Sequence, residues 1–143
     1  MKALDIHIIK TKKEQDHAFT IRQRVFVDEQ HVSEDLEFDG LDDDAVHFIM
    51  YSHKKPIGCA RLRIYEDTVK LERVAVLKEY RGNGCGTQIM EYLFTYCRQK
   101  NLHHLTLHSQ TYVSGFYEKL GFIKKGNTFF EAGLEHIAME RII

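Results

Sequence analysis

The sequence has no excess of charge of either sign. Its 143 residues carry 20 basic and 21 acidic side chains, a formal net charge of −1, which lays down no electrostatic footprint for nucleic acid. Nor is there an apolar run of about 18 residues, so no membrane-spanning helix is expected. Met1-Lys-Ala-Leu-Asp-Ile-His has no signal-peptide core, and a cytoplasmic location follows as the expectation. Cysteines are few: Cys59, Cys85 and Cys97 are odd in number and form no Cys-x-x-Cys pair, a usage that suits reduced thiols. Internal repeats and low-complexity linkers are absent too. With 43% hydrophobic residues, the chain is long enough for one domain with a real core, residues 1–143, and too short for two.

What is present centres on Lys70 to Met90. Val69–Leu77 is rich in β-branched and apolar residues and too short for a helix, so it reads as a strand. A loop follows, Arg81-Gly82-Asn83-Gly84-Cys85-Gly86, after which Ile89, Met90, Leu93, Phe94 and Cys97 fall at helical spacing. Glycines let backbone approach a ligand, and the first turn of a helix offers N–H groups without internal partners at the positive end of its dipole. Such a unit either binds phosphate or is a glycine-rich turn that only joins strand to helix, and the flanking strand and helix favour the first. Arg81 adds a permanent charge and bidentate donors. A Walker A loop is excluded because Gly86 is followed by Thr87 with no lysine between. The dinucleotide spacing fails as well, since Gly82-x-Gly84-x-Gly86 is not Gly-x-Gly-x-x-Gly. Cys85, inside the loop, has no base partner in the sequence to make it a nucleophile.

The rest of the chain alternates elements around this unit. Leu4–Ile9 reads as a strand, and Thr11 with Glu14 forms a capping box opening a helix to about Val27, with Ala18, Phe19, Arg22, Val25 and Phe26 on one face. Ser33–Asp44 is acidic without a single basic residue and reads as a loop or broken helix. Asp35, Glu37, Asp39 and Gly40 match the first half of a calcium loop, but Val46 stands where its bidentate Glu is required. Two readings of the segment remain: a solvated surface loop, or an acidic wall attracting a cationic amine. Ala45–Tyr51, a turn at Lys54–Ile57, and Ile57–Tyr65 form a hairpin that continues through Glu66–Thr68 into the central strand. The helix from Gly86 to about Lys100 should cross back to a strand at Leu102–His108, parallel to Val69–Leu77. His103, His104 and His108 lack metal-ligand spacing, read as structural or surface histidines, and no metal is expected. Val113–Leu120 reads as a short helix closed by Gly121. Strands at Phe122–Lys125 with Phe129–Phe130 and at His136–Ile142, joined by a turn at Glu131–Glu135, complete the order.

Arg81 to Gly86 resembles the Arg/Gln-x-x-Gly-x-Gly/Ala loop of the GCN5-related N-acetyltransferase (GNAT) superfamily, and Phe116-Tyr-Glu-Lys-Leu-Gly-Phe122 is similar to its Phe-Tyr-x-x-x-Gly-Phe signature. Arg24–Gln30, Leu71–Val76, His108–Gln110 and Glu131–Met139 resemble the ElaA-like branch. The resemblance implies an α/β (α+β) acyl-CoA N-acyltransferase fold, a mixed, mostly antiparallel sheet of about six or seven strands flanked by about four helices. It implies an N-acetyltransferase using acetyl-CoA and a primary amine, a small molecule or a protein, by direct attack in a ternary complex. The rival is an acyl-CoA-binding module without catalysis.

Residue by residue, the resemblance assigns Val74, Ala75 and Val76 to the pantetheine arm and Arg81, Gly82, Asn83, Gly84, Cys85, Gly86 and Thr87 to the pyrophosphate. Tyr117 matches the tyrosine that protonates the departing thiolate, and Gln110 stands where many relatives have Asn. For the base, Glu72 shares side-chain parity with Val74 and Val76 and so could face the reaction centre. Glu29, Glu131 and His136 are rivals for base or acceptor contacts, and the Val74 amide could polarise the thioester carbonyl. The composition leaves a homodimer open.

Overall fold

The computed structural model describes residues 4–143. Seven strands form one sheet in the order β1-β2-β3-β4-β5-β7-β6: β1 Leu4–Ile8, β2 Val46–Ser52, β3 Lys55–Tyr65, β4 Thr68–Val76, β5 His104–Gln110, β6 Ile123–Glu131 and β7 Leu134–Ile142. Every neighbouring pair is antiparallel except β4 and β5. The parallel pair needs a crossover, and α3, Cys85–Gln99, supplies it.

Local chemistry sets most element ends. Thr11 accepts from the Glu14 N–H at 3.1 Å while the Glu14 carboxylate accepts from the Thr11 N–H at 3.2 Å, and α1, Lys12–Arg22, starts there. Beyond Arg22 the helix widens into π-helical turns over Gln23–Glu29, past the end expected near Val27. A single turn, α2 at Glu34–Glu37, is all the helix in the acidic segment. The expected turn at Lys54–Ile57 is instead a tight turn of His53 and Lys54, both at positive φ. Pro56 lies inside β3, beyond the last β3–β4 pair at Gly58–Val76 and beside the irregularity at Met50/Tyr51, where a missing N–H is tolerated. Likewise the Glu131–Glu135 turn contracts to Ala132 and Gly133, both at positive φ. A 3-10 turn at Thr111–Val113 leads into α4, Ser114–Lys119.

The sheet has a core on each face. Phe48, Leu62, Leu71, Leu105 and Leu107 pack with Ile89, Met90 and Leu93 of α3. Ile49, Cys59 and Ala75 pack with Ala18 and Ile21 of α1 and with Val25 of its extension. A Cβ on Gly58 would lie 2.9 Å from the Ile89 side chain, so α3 seats closely only because that residue is glycine.

Two departures from regular sheet shape the middle of the molecule. Cys59 faces Ala75 and Arg61 faces Glu72, so Arg73 and Val74 together oppose Ala60 in a β-bulge, with Arg73 at φ +57°. The bulge resets alternation. Glu72 therefore shares the α1 face with Ala75, while Val74 and Val76 pack toward α3, which corrects the expected common parity of Glu72 with the two valines. The second departure is a splay: β4 and β5 pair only from Thr68–His104 to Leu71–Leu107, and beyond this β5 pairs with β7 alone.

Candidate functional site

The splay opens into a cleft of about 820 Å³ with residues of both separating strands on its walls. At one end lies the glycine loop. Gly82 and Gly84 sit at φ +82° and +81° with nothing near a built Cβ, so backbone conformation and not crowding requires glycine. Gly84 is the N-cap of α3, and its carbonyl accepts from the Gln88 N–H at 3.0 Å. The N–H groups of Cys85, Gly86 and Thr87 thus precede the first intrahelical bond, at the positive helix end. They can hold an anion with backbone alone. A Cβ on Gly86 would come within 3.2 Å of the Phe116 ring, so α4 packs against this turn.

Arg81 is held in a way the motif did not indicate. Its two terminal nitrogens donate to the Glu29 carboxylate at 2.6 and 2.9 Å and its Nε donates to the Val76 carbonyl at 2.8 Å. The hydrogen bond from Arg81 holds the Glu29 carboxyl below its ordinary range. Next to Glu29, Gln30 accepts from Gln110 Nε2 at 2.8 Å. The end of the π-helical segment is therefore tied to both lips of the splay, to the β4 exit by Glu29 and to the β5 end by Gln30.

Tyr117 stands on α4, half-buried, with its ring edge-on to Phe116 and Phe122 at 5.0 and 5.9 Å. Desolvation pushes its phenol up to about 12, so it stays protonated at neutral pH. Cys85 is buried and desolvation raises its thiol, the opposite of an activated nucleophile.

The other end of the cleft is built from charged side chains. Buried Arg22 pairs with Glu37 and Asp42, both at 2.8 Å. Fully buried Arg61 reaches Asp39, Asp42 and Glu72 at 3.0, 2.9 and 2.8 Å. Arg73 pairs with Glu37 and Asp39 at 2.9 and 3.2 Å. The acidic segment is thus not simply a solvated loop: three of its carboxylates turn inward onto arginines of α1, β3 and β4. Burial alone would raise the Glu72 carboxyl, but hydrogen bonds and charge from Arg63, Arg61 and Lys70 outweigh it and bring it down to about 2.

Across the splay, on the same sheet face, Gln110 faces His136 and His108 faces Ala138 in the β5–β7 register. His108 Nδ1 lies 2.9 Å from Glu131, and His136 Nδ1 donates to the Leu134 carbonyl at 2.8 Å. In each contact the oxygen accepts, so Nδ1 carries a proton and Nε2 is the ring nitrogen turned away from the partner. The Phe129 ring lies between them, 5.0 Å from His108 and 6.1 Å from His136. Of the residues expected at a site, Val74, Ala75, Val76, Arg81, Gly82, Gly84, Cys85, Gly86, Gln110, Tyr117, Glu72, Glu29, Glu131 and His136 all line the cleft, whereas Asn83 and Thr87 do not. His108, expected to be a structural or surface histidine, lines the cleft as well, together with Arg63, Lys70 and Arg73, to which the sequence assigns no site role. Alternation against Leu105 and Leu107 was the available signal for His108, but nothing local announced its partner.

Known proteins share this architecture. Residues 8–143 match the family described as acetyltransferase (GNAT) domain. The chain is 39% identical to the uncharacterized protein YyaT of Bacillus subtilis over 98% of this chain and 97% of the relative. It is 35% identical to the uncharacterized N-acetyltransferase YjcF of the same organism, over 97% and 98%. Among solved structures, an acyl-CoA N-acyltransferase from Pseudomonas aeruginosa superposes with a TM-score of 0.87 at 28% identity, covering 96% of this chain and 99% of that one. Escherichia coli ElaA superposes at 0.84 with 25% identity and the same coverage.

Proposed function

Because the chain belongs to the GNAT acetyltransferase family, we propose that it transfers the acetyl group of acetyl-CoA to a primary amine by direct attack within a ternary complex. The observation that carries this reading is the splay of β4 from β5, with the β4 edge on its wall and the open N-terminus of α3 at its end. Edge groups at Val74 to Val76, of which the Val76 carbonyl already accepts from Arg81, take the pantetheine amides as an added strand would. The N–H groups of the glycine loop and of Cys85 to Thr87 take the pyrophosphate. Val74 N–H is the strand donor for the thioester carbonyl.

The amine nitrogen forms a bond to the carbonyl carbon as the carbon–sulfur bond breaks, and a base takes the amine proton. Glu72 is poorly suited, because a carboxyl held at about 2 lies far below an alkyl ammonium at about 10.4. His108 fits better: Glu131 orients its Nδ1 and its Nε2 is left as acceptor. Tyr117 stands opposite as donor to the departing sulfur. With its phenol at about 12 and a thiol near about 8.5, full transfer is uphill, so the hydroxyl acts by stabilising developing thiolate charge.

The test is thermal unfolding with and without acetyl-CoA, followed by thiol release across a panel of amines. Stabilisation by acetyl-CoA together with amine-dependent thiol release is expected. Tyr117→Phe and His108→Gln should each lower kcat without lowering that stabilisation. Stabilisation with no turnover of any amine would convert the reading to an acyl-CoA-binding module, and no stabilisation would end it.

A further inference from the structure

The acceptor end of the cleft has a charge balance that its acidic sequence conceals. Among the described residues, Glu37, Asp39, Asp42 and Glu72 form one connected ion-pair network with Arg22, Arg61, Arg63, Lys70 and Arg73. Cations outnumber carboxylates by one. The least matched members are Arg63 and Lys70, which face each other directly in the β3–β4 register. A like-charge pair in that position costs stability.

Both cations depend on a single carboxylate that fully buried Arg61 already holds. Lys70 Nζ stands 3.5 Å from Glu72, while Arg63 directs Nε and one terminal nitrogen to Glu72 at 2.6 and 3.0 Å. Among the described residues, that leaves Lys70 with one long ion pair and no hydrogen bond from its ammonium, and the second terminal nitrogen of Arg63 without an acidic partner in the network. Further along the same row, the Glu140 carboxylate is occupied by His104 and Lys125, both at 3.0 Å. Arg63 and Lys70 are partly exposed and line the cleft on the sheet face that carries His108. Two cations with unused donors thus stand at the cleft wall, one anion short.

Resting on the acetyl-transfer reading, we propose that the acceptor is a small amine that also carries an anionic group, carboxylate or phosphate, bound between Arg63 and Lys70 with the amine directed across the splay to His108. An anion there adds charge-assisted hydrogen bonds and relieves the repulsion of the cross-strand pair. A cationic amine without such a group meets unmatched positive charge. The three carboxylates of the acidic segment that reach this end, Glu37, Asp39 and Asp42, are already matched by arginines and offer it little compensation.

The test compares matched acceptors with acetyl-CoA saturating: β-alanine, 4-aminobutyrate and glutamate against their carboxamides, and phosphoethanolamine against ethanolamine. The anionic member of a pair should have the higher kcat/KM by about tenfold or more, mostly through KM, as a charge-assisted contact implies. The carboxylate and phosphate arms separate the two anion classes. Lys70→Gln should collapse the ratio toward one, and added salt should reduce it in the wild type. Neutral or purely cationic amines preferred, or a ratio unmoved in Lys70→Gln, would overturn the proposal. So would failure of every pair to react while acetyl-CoA still stabilises the fold, an outcome that leaves the donor reading standing. Loss of that stabilisation would instead count against the donor reading.

Discussion

The two ends of the cleft are made of different materials. The end proposed for the donor is backbone: strand-edge groups, two glycines at positive φ and the first N–H groups of α3. The end proposed for the acceptor is side chains: a network of arginines and carboxylates drawn from α1, α2, β3, β4 and the loop between α2 and β2. A backbone site recognises what all donors of one class share, whereas a side-chain site can be retuned residue by residue. The contrast also predicts where each half is fragile.

The largest expected loss is at the hub of the charged half. Arg61→Ala would leave Asp39, Asp42 and Glu72 short of their common partner in a buried setting, and removal of one member of a buried pair costs about 3–5 kcal/mol. Urea unfolding reads it directly; a loss below about 1 kcal/mol would mean that the network is solvated and the contrast overstated. Next comes the backbone half. Gly84→Val forces a β-branched residue to φ +81° and should abolish acetyl-CoA stabilisation, worth about 2.7 kcal/mol at a hundredfold excess over Kd.

Acid should act on the charged half first. Glu72 is depressed to about 2 in the fold, so its contribution is complete above its unfolded value of about 4.3 and declines as pH falls toward 2. Glu72→Gln should flatten that part of a stability–pH curve, and an unchanged acid limb would show that Glu72 does not supply it. The smallest effect is the most discriminating. Arg81→Ala should weaken acetyl-CoA binding by no more than about 1 kcal/mol, since its guanidinium already serves Glu29 and Val76. A loss as large as that in Gly84→Val, measured by titration calorimetry, would make the donor site a side-chain site after all.

The same contrast decides what could be read from the sequence. Glycine at positive φ and a helix start are written within a few consecutive residues, so the loop from Arg81 to Thr87 was legible at once. The run β2-β3-β4-β5 followed from the hairpins and one crossover, but the place of β1 beside β2 and of β7 between β5 and β6 did not. The charged end was not legible, because Arg22, Arg61 and Arg73 meet Glu37, Asp39 and Asp42 across long stretches of chain. Glu72 was misplaced for a local reason: Arg73 takes a left-handed conformation without being glycine, and nothing in its identity signals a bulge. His108 looked idle until the β6–β7 hairpin brought Glu131 to it.

That bulge has a consequence of another kind. It works as an inserted letter in β4, so that Thr68–Glu72 and Val74–Val76 are read in different frames. Removing one residue there would restore simple alternation along the strand, and one segment would have to turn over. Either Glu72 would leave Arg61, or Val74 and Val76 would exchange faces with Ala75. The two-residue turn Ala132–Gly133 is under the same constraint, because it sets the Glu131–Leu134 register that brings Glu131 to His108. In β4 a substitution changes one side chain, but a change of length changes the phase of the strand.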